Sequence, residues 1–237
     1  MASEFEDKVV LITGASGTIG TALTQHFLDL GAIVYAQINT SDLEAKRNLH
    51  MIRVDFKHEN AAAKIIESAI AVVGKIDFLI NNAANQVVLP LDQSTAAAAD
   101  EIFHTNVSIP AELIALASKA KVQACLNISS IEANIARPGH SIYGASKAAL
   151  DSLTRSAGQE LFPMRTLGLR LGLVGKAGID EAWPEGVNAW KSSSVLSRYA
   201  NATEVARVAE FLLSCANAWA TGTTYDFDGG IATKANW

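Results

Sequence analysis

Val9-Val10-Leu11-Ile12-Thr13-Gly14-Ala15-Ser16-Gly17-Thr18-Ile19-Gly20 joins an apolar run to a turn carrying three glycines. Val9 to Ile12 reads as a buried strand, and the pattern after the turn predicts a helix near 18–30. Glycine at 14, 17 and 20 allows a tight turn and a close backbone approach to a pyrophosphate. The helix N-terminus then offers free N–H groups and a partial positive charge. The glycines alone fit an ordinary strand-to-helix turn equally well. Their place between a strand and a helix favours a dinucleotide.

The same alternation continues along the chain. Strands are predicted at Ile33–Ala36, Met51–Val54, Ile76–Ile80, Ala124–Ile128, Thr166–Leu173 and Thr224–Phe227. Helical patterns lie near 59–73, 96–120, 143–162 and 203–214. Continuous apolar strands alternating with helices predict an α/β fold with a doubly wound parallel sheet of about seven strands, covered on both faces. No internal repeat or linker divides the chain, so a single domain is expected over 1–237. Such sheets bind ligands at the C-terminal ends of their strands. Residues that carry chemistry should therefore follow the strands.

Composition narrows the class. Of 237 residues, 49% are apolar and 18% charged, enough for a sizeable core and unlike a disordered chain. A net charge of −5 argues against a nucleic-acid surface, which needs clustered Lys and Arg. Cys125 and Cys215 have no metal-ligand or redox spacing and are expected to be buried, reduced thiols, and no metal site is expected. The segment from Met1 to Lys8 has neither the basic stretch nor the apolar run of an export leader, and no apolar run reaches transmembrane length. A cytoplasmic protein without membrane contact is the expectation.

A second constellation handles protons. Tyr143 and Lys147 stand at i and i+4 and share one helix face. A phenol with a pKa of about 10 is a poor acid–base group near neutrality. A neighbouring ammonium would lower that pKa. Ser130 follows the fifth strand and can hydrogen-bond a substrate oxygen. A Tyr-x-x-x-Lys pair alone is more often surface decoration, and its position after Ser130 in such a sheet reverses that reading. Asn106 precedes Pro110 by four residues, so its carbonyl loses its helical N–H partner. The result is either a plain proline kink or a free carbonyl that can hold a water beside Lys147.

These segments resemble the short-chain dehydrogenase/reductase family over essentially the whole chain. The matching stretches are Thr13 to Gly20, Val54-Asp55, Asn81-Asn82-Ala83-Ala84, Asn106, Asn127-Ile128-Ser129-Ser130, Tyr143-Gly144-Ala145-Ser146-Lys147 and Asp226-Phe227-Asp228-Gly229-Gly230. The resemblance implies a single-domain Rossmann fold and an NAD(P)-dependent oxidoreductase, such as a carbonyl reductase, acting on a ketone or secondary alcohol. Tyr143 would be the general acid/base and Ser130 would polarise the substrate oxygen. Lys147 would bind the nicotinamide ribose and lower the Tyr143 pKa, and Asn106 would organise a water relay. Asp55, with Phe56, would meet the adenine, and Asn82, with Ala83 and Ala84, the adenosine-side ribose. The turn would contribute Gly14, Ser16, Gly17, Thr18 and Ile19, and Val174 would meet the carboxamide through its backbone.

The chain departs from the family pattern in places. The spacing Gly14-x-x-Gly17-x-x-Gly20 looks like that of the longer-chain subclass, with Thr18 where the shorter subclass has glycine. Ala84 replaces a glycine, Leu171-Gly172 stands for Pro-Gly, and Lys176 stands for a threonine that usually contacts the cofactor. Length and the remaining motifs favour the shorter subclass. Two other readings stay open: a catalytically idle dinucleotide-binding regulator, and an epimerase or dehydratase of the longer subclass. The latter would need a larger C-terminal substrate domain.

Three further expectations follow. At the end of the second strand, Ile38 cannot accept a ribose hydroxyl, and Asn39, Thr40 and Ser41 do not repel a phosphate. NADP(H) is therefore expected over NAD(H), with Asp42 as the residue that would oppose this if it turned inward. The resemblance implies a homo-oligomer, a dimer or tetramer, paired through the outer faces of the helices near 96–120 and 143–162. A long stretch at about 175–201 holds Trp183 and Trp190 and reads as a substrate lid that orders on ligand binding over a mainly apolar pocket. Gln86, Glu132 and Arg137 are candidate polar groups of its wall.

Overall fold

The computed structural model describes residues 3–233, so the outermost residues of the expected 1–237 domain lie outside it. Seven strands form one sheet: β1 (Val9–Ile12), β2 (Ile33–Ile38), β3 (Leu49–Arg53), β4 (Phe78–Asn81), β5 (Ala124–Ser130), β6 (Arg165–Leu171) and β7 (Thr223–Phe227). Their order is β3-β2-β1-β4-β5-β6-β7, and every pairing is parallel. The helices are α1 (Thr18–Asp29), α2 (Ala61–Val73), α3 (Ala96–Phe103), α4 (Ile109–Lys119), α5 (Ser141–Glu160), α6 (Ile179–Ala182), α7 (Pro184–Ser193) and α8 (Ala202–Leu213).

Alternation along β1 shows why the strands read as unbroken apolar runs. Val10 and Ile12 join a core with Leu23 and Phe27 of α1 and Val205 and Leu212 of α8. Leu11 points the other way, into a core with Ile65 of α2, Leu113 of α4 and Ala157 of α5. Each of the larger of these side chains stabilises the fold by about 1.5–3 kcal/mol relative to exposure. The order reverses at β1, between β2 and β4, and this switch point opens a crevice at the C-terminal strand ends.

Four expectations change. The single helix over 96–120 is interrupted by a wider π turn at His104–Ser108, where the Ile109 N–H reaches the His104 carbonyl. Pro110 offers no N–H to the Asn106 carbonyl, so regular α geometry cannot continue there. β6 ends at Leu171, because Leu173 and Gly175 bond across to Ala200 and lead the chain into the 175–201 stretch. β3 begins at Leu49, two residues early: it is an edge strand, half exposed, and so carries no apolar run. Cys125 is buried as expected, whereas Cys215 is exposed in a turn after α8.

Candidate active site

The turn after β1 is clamped from three sides. Gly14 has φ +61°, and a Cβ there would sit 2.8 Å from the Ala83 Cα. The Thr13 Oγ1 accepts from the Asn82 and Ala83 N–H groups at 3.0 and 3.1 Å. The Asn82 amide donates to the carbonyls of Thr13 and Gly14 at 2.9 and 3.0 Å. Asn82 thus holds the turn itself. The Gly14 N–H donates to Gln37 Oε1 at 2.8 Å, a clamp from β2 that sequence reading missed. A Cβ on Gly20 would lie 2.2 Å from the Gly14 carbonyl oxygen, so α1 can start this close only with glycine there. No side chain caps α1 at Gly17, and its first turn holds no acidic residue. Its N–H groups, beside half-buried Ser16 and Ile19 and exposed Gly17 and Thr18, are available to an anion. These residues fit the diphosphate of a dinucleotide.

At the end of β2, Ile38 is buried and Asn39 and Thr40 are exposed. β3 aligns Arg53 with Ile38. The Arg53 guanidinium donates to the Asn39 carbonyl and pairs with Asp42. A cavity of about 390 Å³ is lined here by Asn39, Arg53, Asp55 and Lys64. The Asp55 carboxylate accepts from the Lys57 N–H at 2.9 Å, and Phe56 is buried beneath. Arg53 has no local motif to mark it. Only the long-range pairing of β3 with β2 brings it to the ligand edge.

Around the proton-handling set, Ser130 ends β5 and Tyr143 and Lys147 lie on the first two turns of α5. A Cβ on Gly144 would fall 2.6 Å from the Glu132 carbonyl oxygen, so this glycine lets α5 approach the β5 end. The Ser130 and Tyr143 side chains line one cavity. Asn106 is fully buried. Its Oδ1 accepts from the Asn85 N–H at 2.7 Å, and its Nδ2 donates to the Asn85 carbonyl and Ser146 Oγ, each at 2.9 Å. It therefore ties the loop after β4 to α5.

The expected lowering of the Tyr143 pKa by Lys147 is not what these groups produce. Burial first, and the Glu132 charge second, push the phenol well above its ordinary value, with the Ser130 hydrogen bond acting the other way. Lys147 Nζ stands over the ring, 5.7 Å from its centroid, and donates to the Ile128 carbonyl at 2.9 Å. It is itself buried, which lowers its pKa from 10.5 to about 8, against the opposing charge of Asp151.

A cavity of about 510 Å³ opens onto Ser130, Tyr143 and Lys147. All five candidate wall residues, Gln86, Glu132, Arg137, Trp183 and Trp190, line it, as do Ile19, Asn82, Ala84 and Val174 of the expected cofactor set. Asn106 stands behind this wall, and Asn39 and Asp55 belong to the smaller cavity. The 175–201 stretch is largely helical, α6 and α7. Trp183 packs on Gly186, where a Cβ would lie 1.7 Å from the indole. Trp190 packs on Gly172, where the separation would be 2.6 Å. The Arg137 guanidinium lies 4.8 Å above the Trp183 ring, and Trp190 Nε1 donates to the Arg198 carbonyl at 3.1 Å.

Residues 14–232 match the family model described as enoyl-(acyl carrier protein) reductase. The chain is similar to the short-chain dehydrogenase/reductase FrzI of Cladobotryum sp, 26% identical, with 96% of each chain covered. Among solved structures, 4-hydroxyisoleucine dehydrogenase complexed with NADH superposes with a TM-score of 0.89 at 22% identity, over 97% of this chain and 100% of that one. A blue fluorescent protein from a metagenomic library, in complex with NADPH, superposes with a TM-score of 0.87 at 24% identity, over 97% and 100%. The two superpositions establish the fold.

Proposed function

Because the chain belongs to the short-chain dehydrogenase/reductase family, we propose that it interconverts a ketone and a secondary alcohol with a nicotinamide cofactor. The observation that carries this reading is the convergence of Ser130, Tyr143 and Lys147 on one cavity at the C-terminal edge of the sheet. The residues of the glycine turn would hold the diphosphate at the α1 N-terminus, Lys147 the nicotinamide ribose, and the Val174 backbone the carboxamide. The cofactor, when bound, supplies or accepts the hydride.

The chain's own groups handle the oxygen and its proton. The Ser130 Oγ holds the substrate oxygen. Tyr143 gives that oxygen a proton in reduction and takes it back in oxidation. A phenol held above its ordinary pKa keeps its proton near neutrality, which favours the reductive role. Asn106 keeps α5 and the loop after β4 in register, and its carbonyl, without a partner at Pro110, would hold the relay water toward Lys147. The test is the absorbance at 340 nm when the protein, NADH or NADPH and a panel of ketones are mixed. No oxidation of either cofactor with any ketone defeats the reading.

The cofactor end favours NADP(H). Asp42, the residue best placed to take a ribose hydroxyl, is paired with Arg53. A 2′-phosphate would compete for that same exposed guanidinium. Exposed pairs of this kind hold weakly, so exchanging Asp42 for phosphate costs little. We expect kcat/KM to favour NADPH, and Arg53→Ala to lower it about tenfold or more for NADPH while NADH is little affected. A wild type that prefers NADH tenfold would refute the assignment.

The family resemblance also leads us to a dimer or tetramer, through the outer faces of α3, α4 and α5. Light scattering at micromolar concentration should give two or four times 25.1 kDa. Helices α6 and α7 form the substrate lid. Truncating Trp183 or Trp190 to alanine should lower kcat/KM for the ketone with little change in cofactor Kd. Lower thermal stability with unchanged kinetics in both variants would reduce the indoles to packing.

A further inference from the structure

Behind Tyr143, α5 packs on β5 and β6 through a row of polar groups. Lys147 and Asp151 stand one helical turn apart on the same face, and both are buried. Lys147 Nζ donates to the Ile128 carbonyl of β5. β6 aligns Arg170 with Ser129, the next residue of β5. The Arg170 guanidinium donates to Asp151 Oδ2 at 2.6 Å and to Asp226 of β7 at 3.0 Å. Asp151 Oδ1 is left buried with no hydrogen bond. One buried carboxylate thus lies between two cations, Lys147 on its own helix and Arg170 on the sheet. The other titratable groups here are the Tyr143 phenol under Nζ, and Glu132 with His140, 2.9 Å apart, beside that ring. The π turn contributes uncharged Asn106, and its His104 is turned to the Phe56 carbonyl. Asp100, Glu101 and Glu112 of α3 and α4 are exposed to solvent.

We propose that Asp151 is a positioning residue of the reaction: its carboxylate keeps Lys147 in the ammonium form near neutral pH, and Arg170 fixes that carboxylate against the sheet. The inference rests on the ketone-reduction reading above. When Tyr143 gives its proton to the substrate oxygen, negative charge develops on a buried phenol oxygen. In a water-poor site such charge is unfavourable unless a cation stands near. Lys147 Nζ over the ring is that cation, and it serves only while protonated. Burial works against its proton, and the carboxylate one turn away works for it. Arg170 in turn keeps Asp151 ionised, since a buried carboxyl without a partner takes up a proton.

The experiment is the pH dependence of kcat/KM from about pH 6 to 10, with NADPH saturating and a ketone that the wild type reduces. It compares wild type, Asp151→Asn, Asp151→Glu and the double variant Asp151→Asn with Arg170→Met. Asparagine keeps the shape and removes the charge. Wild type should lose activity as pH rises through about 8, where Lys147 gives up its proton. In Asp151→Asn this fall should come about one pH unit lower, so that activity at pH 8 drops about fivefold while the acid plateau is nearly kept. Asp151→Glu should return most of the shift. The double variant removes the guanidinium that asparagine leaves short of a partner, so it carries the test if the single variant does not fold. Its alkaline limb should also lie about one unit below that of wild type. Melting temperatures report folding separately. Alkaline limbs that coincide in wild type and the asparagine variants overturn the inference and leave the reductase reading standing. A drop of equal size at every pH does the same, since it marks a packing role. A wild type that reduces no ketone with either cofactor defeats both.

Discussion

We expect Tyr143→Phe to fold, to bind the dinucleotide with nearly unchanged Kd, and to reduce ketones about 10²–10⁴-fold more slowly. The ring is buried against α5 and the β5 end, and phenylalanine fills the same space, so packing survives. What disappears is the proton that the substrate oxygen must receive. Steady-state kcat and cofactor binding by fluorescence separate the two effects. A variant that keeps most of its kcat would remove Tyr143 from the acid/base role.

Lys147→Met should abolish most turnover and at the same time raise stability near neutral pH. Burial holds the Lys147 pKa near 8, against 10.5 in an exposed chain. The folded state therefore binds fewer protons than the unfolded state between about pH 8 and 10.5. Wild-type stability accordingly rises with pH through that window, and below pH 8 the penalty of an ionised buried amine is present in full. Methionine removes that penalty, worth up to about 3 kcal/mol. For a chain of this size the melting temperature at pH 7 should rise by ~5 °C. The neighbouring Asp151 is not stranded, because Arg170 Nε donates to it at 2.6 Å. Thermal melts from pH 7 to 10.5 check both parts: the variant should melt higher at pH 7 and lose the wild-type rise. A variant less stable than wild type at pH 7 would mean that the Ile128 contact outweighs desolvation.

The parallel sheet could be anticipated because its strands are buried on both faces and their apolar runs are uninterrupted, as at Val9–Ile12 and Phe78–Ile80. Edge strand β3 lacked that signal and was placed two residues late. The glycine turn and the Tyr143–Lys147 pair are encoded in local spacing, and Tyr143 and Lys147 line one cavity with Ser130. Arg53, Gln37 and His140 had no such mark. Each is brought to its place by a non-local contact: β3 beside β2, the β2 side chain under the turn, and the start of α5 against Glu132. The direction of the Tyr143 pKa was also missed, since sequence shows the neighbouring lysine but not the burial that outweighs it.

The two indole–glycine pairs, Trp183 with Gly186 and Trp190 with Gly172, bear on how this pocket can be redesigned. At Gly186 and Gly172 even a methyl group would collide with Trp183 and Trp190. Libraries that randomise these glycines alone will therefore return mostly unfolded proteins or displaced α6 and α7 helices. At Gly186 volume has to be exchanged across the pair, a smaller residue at Trp183 for a larger one at the glycine; at Gly172 a Cβ would also fall 2.9 Å from the Asp228 Cα, so trimming Trp190 alone makes no room. Ile135 and Gln86 face the same space without such a constraint and are the positions at which single substitutions can reshape specificity.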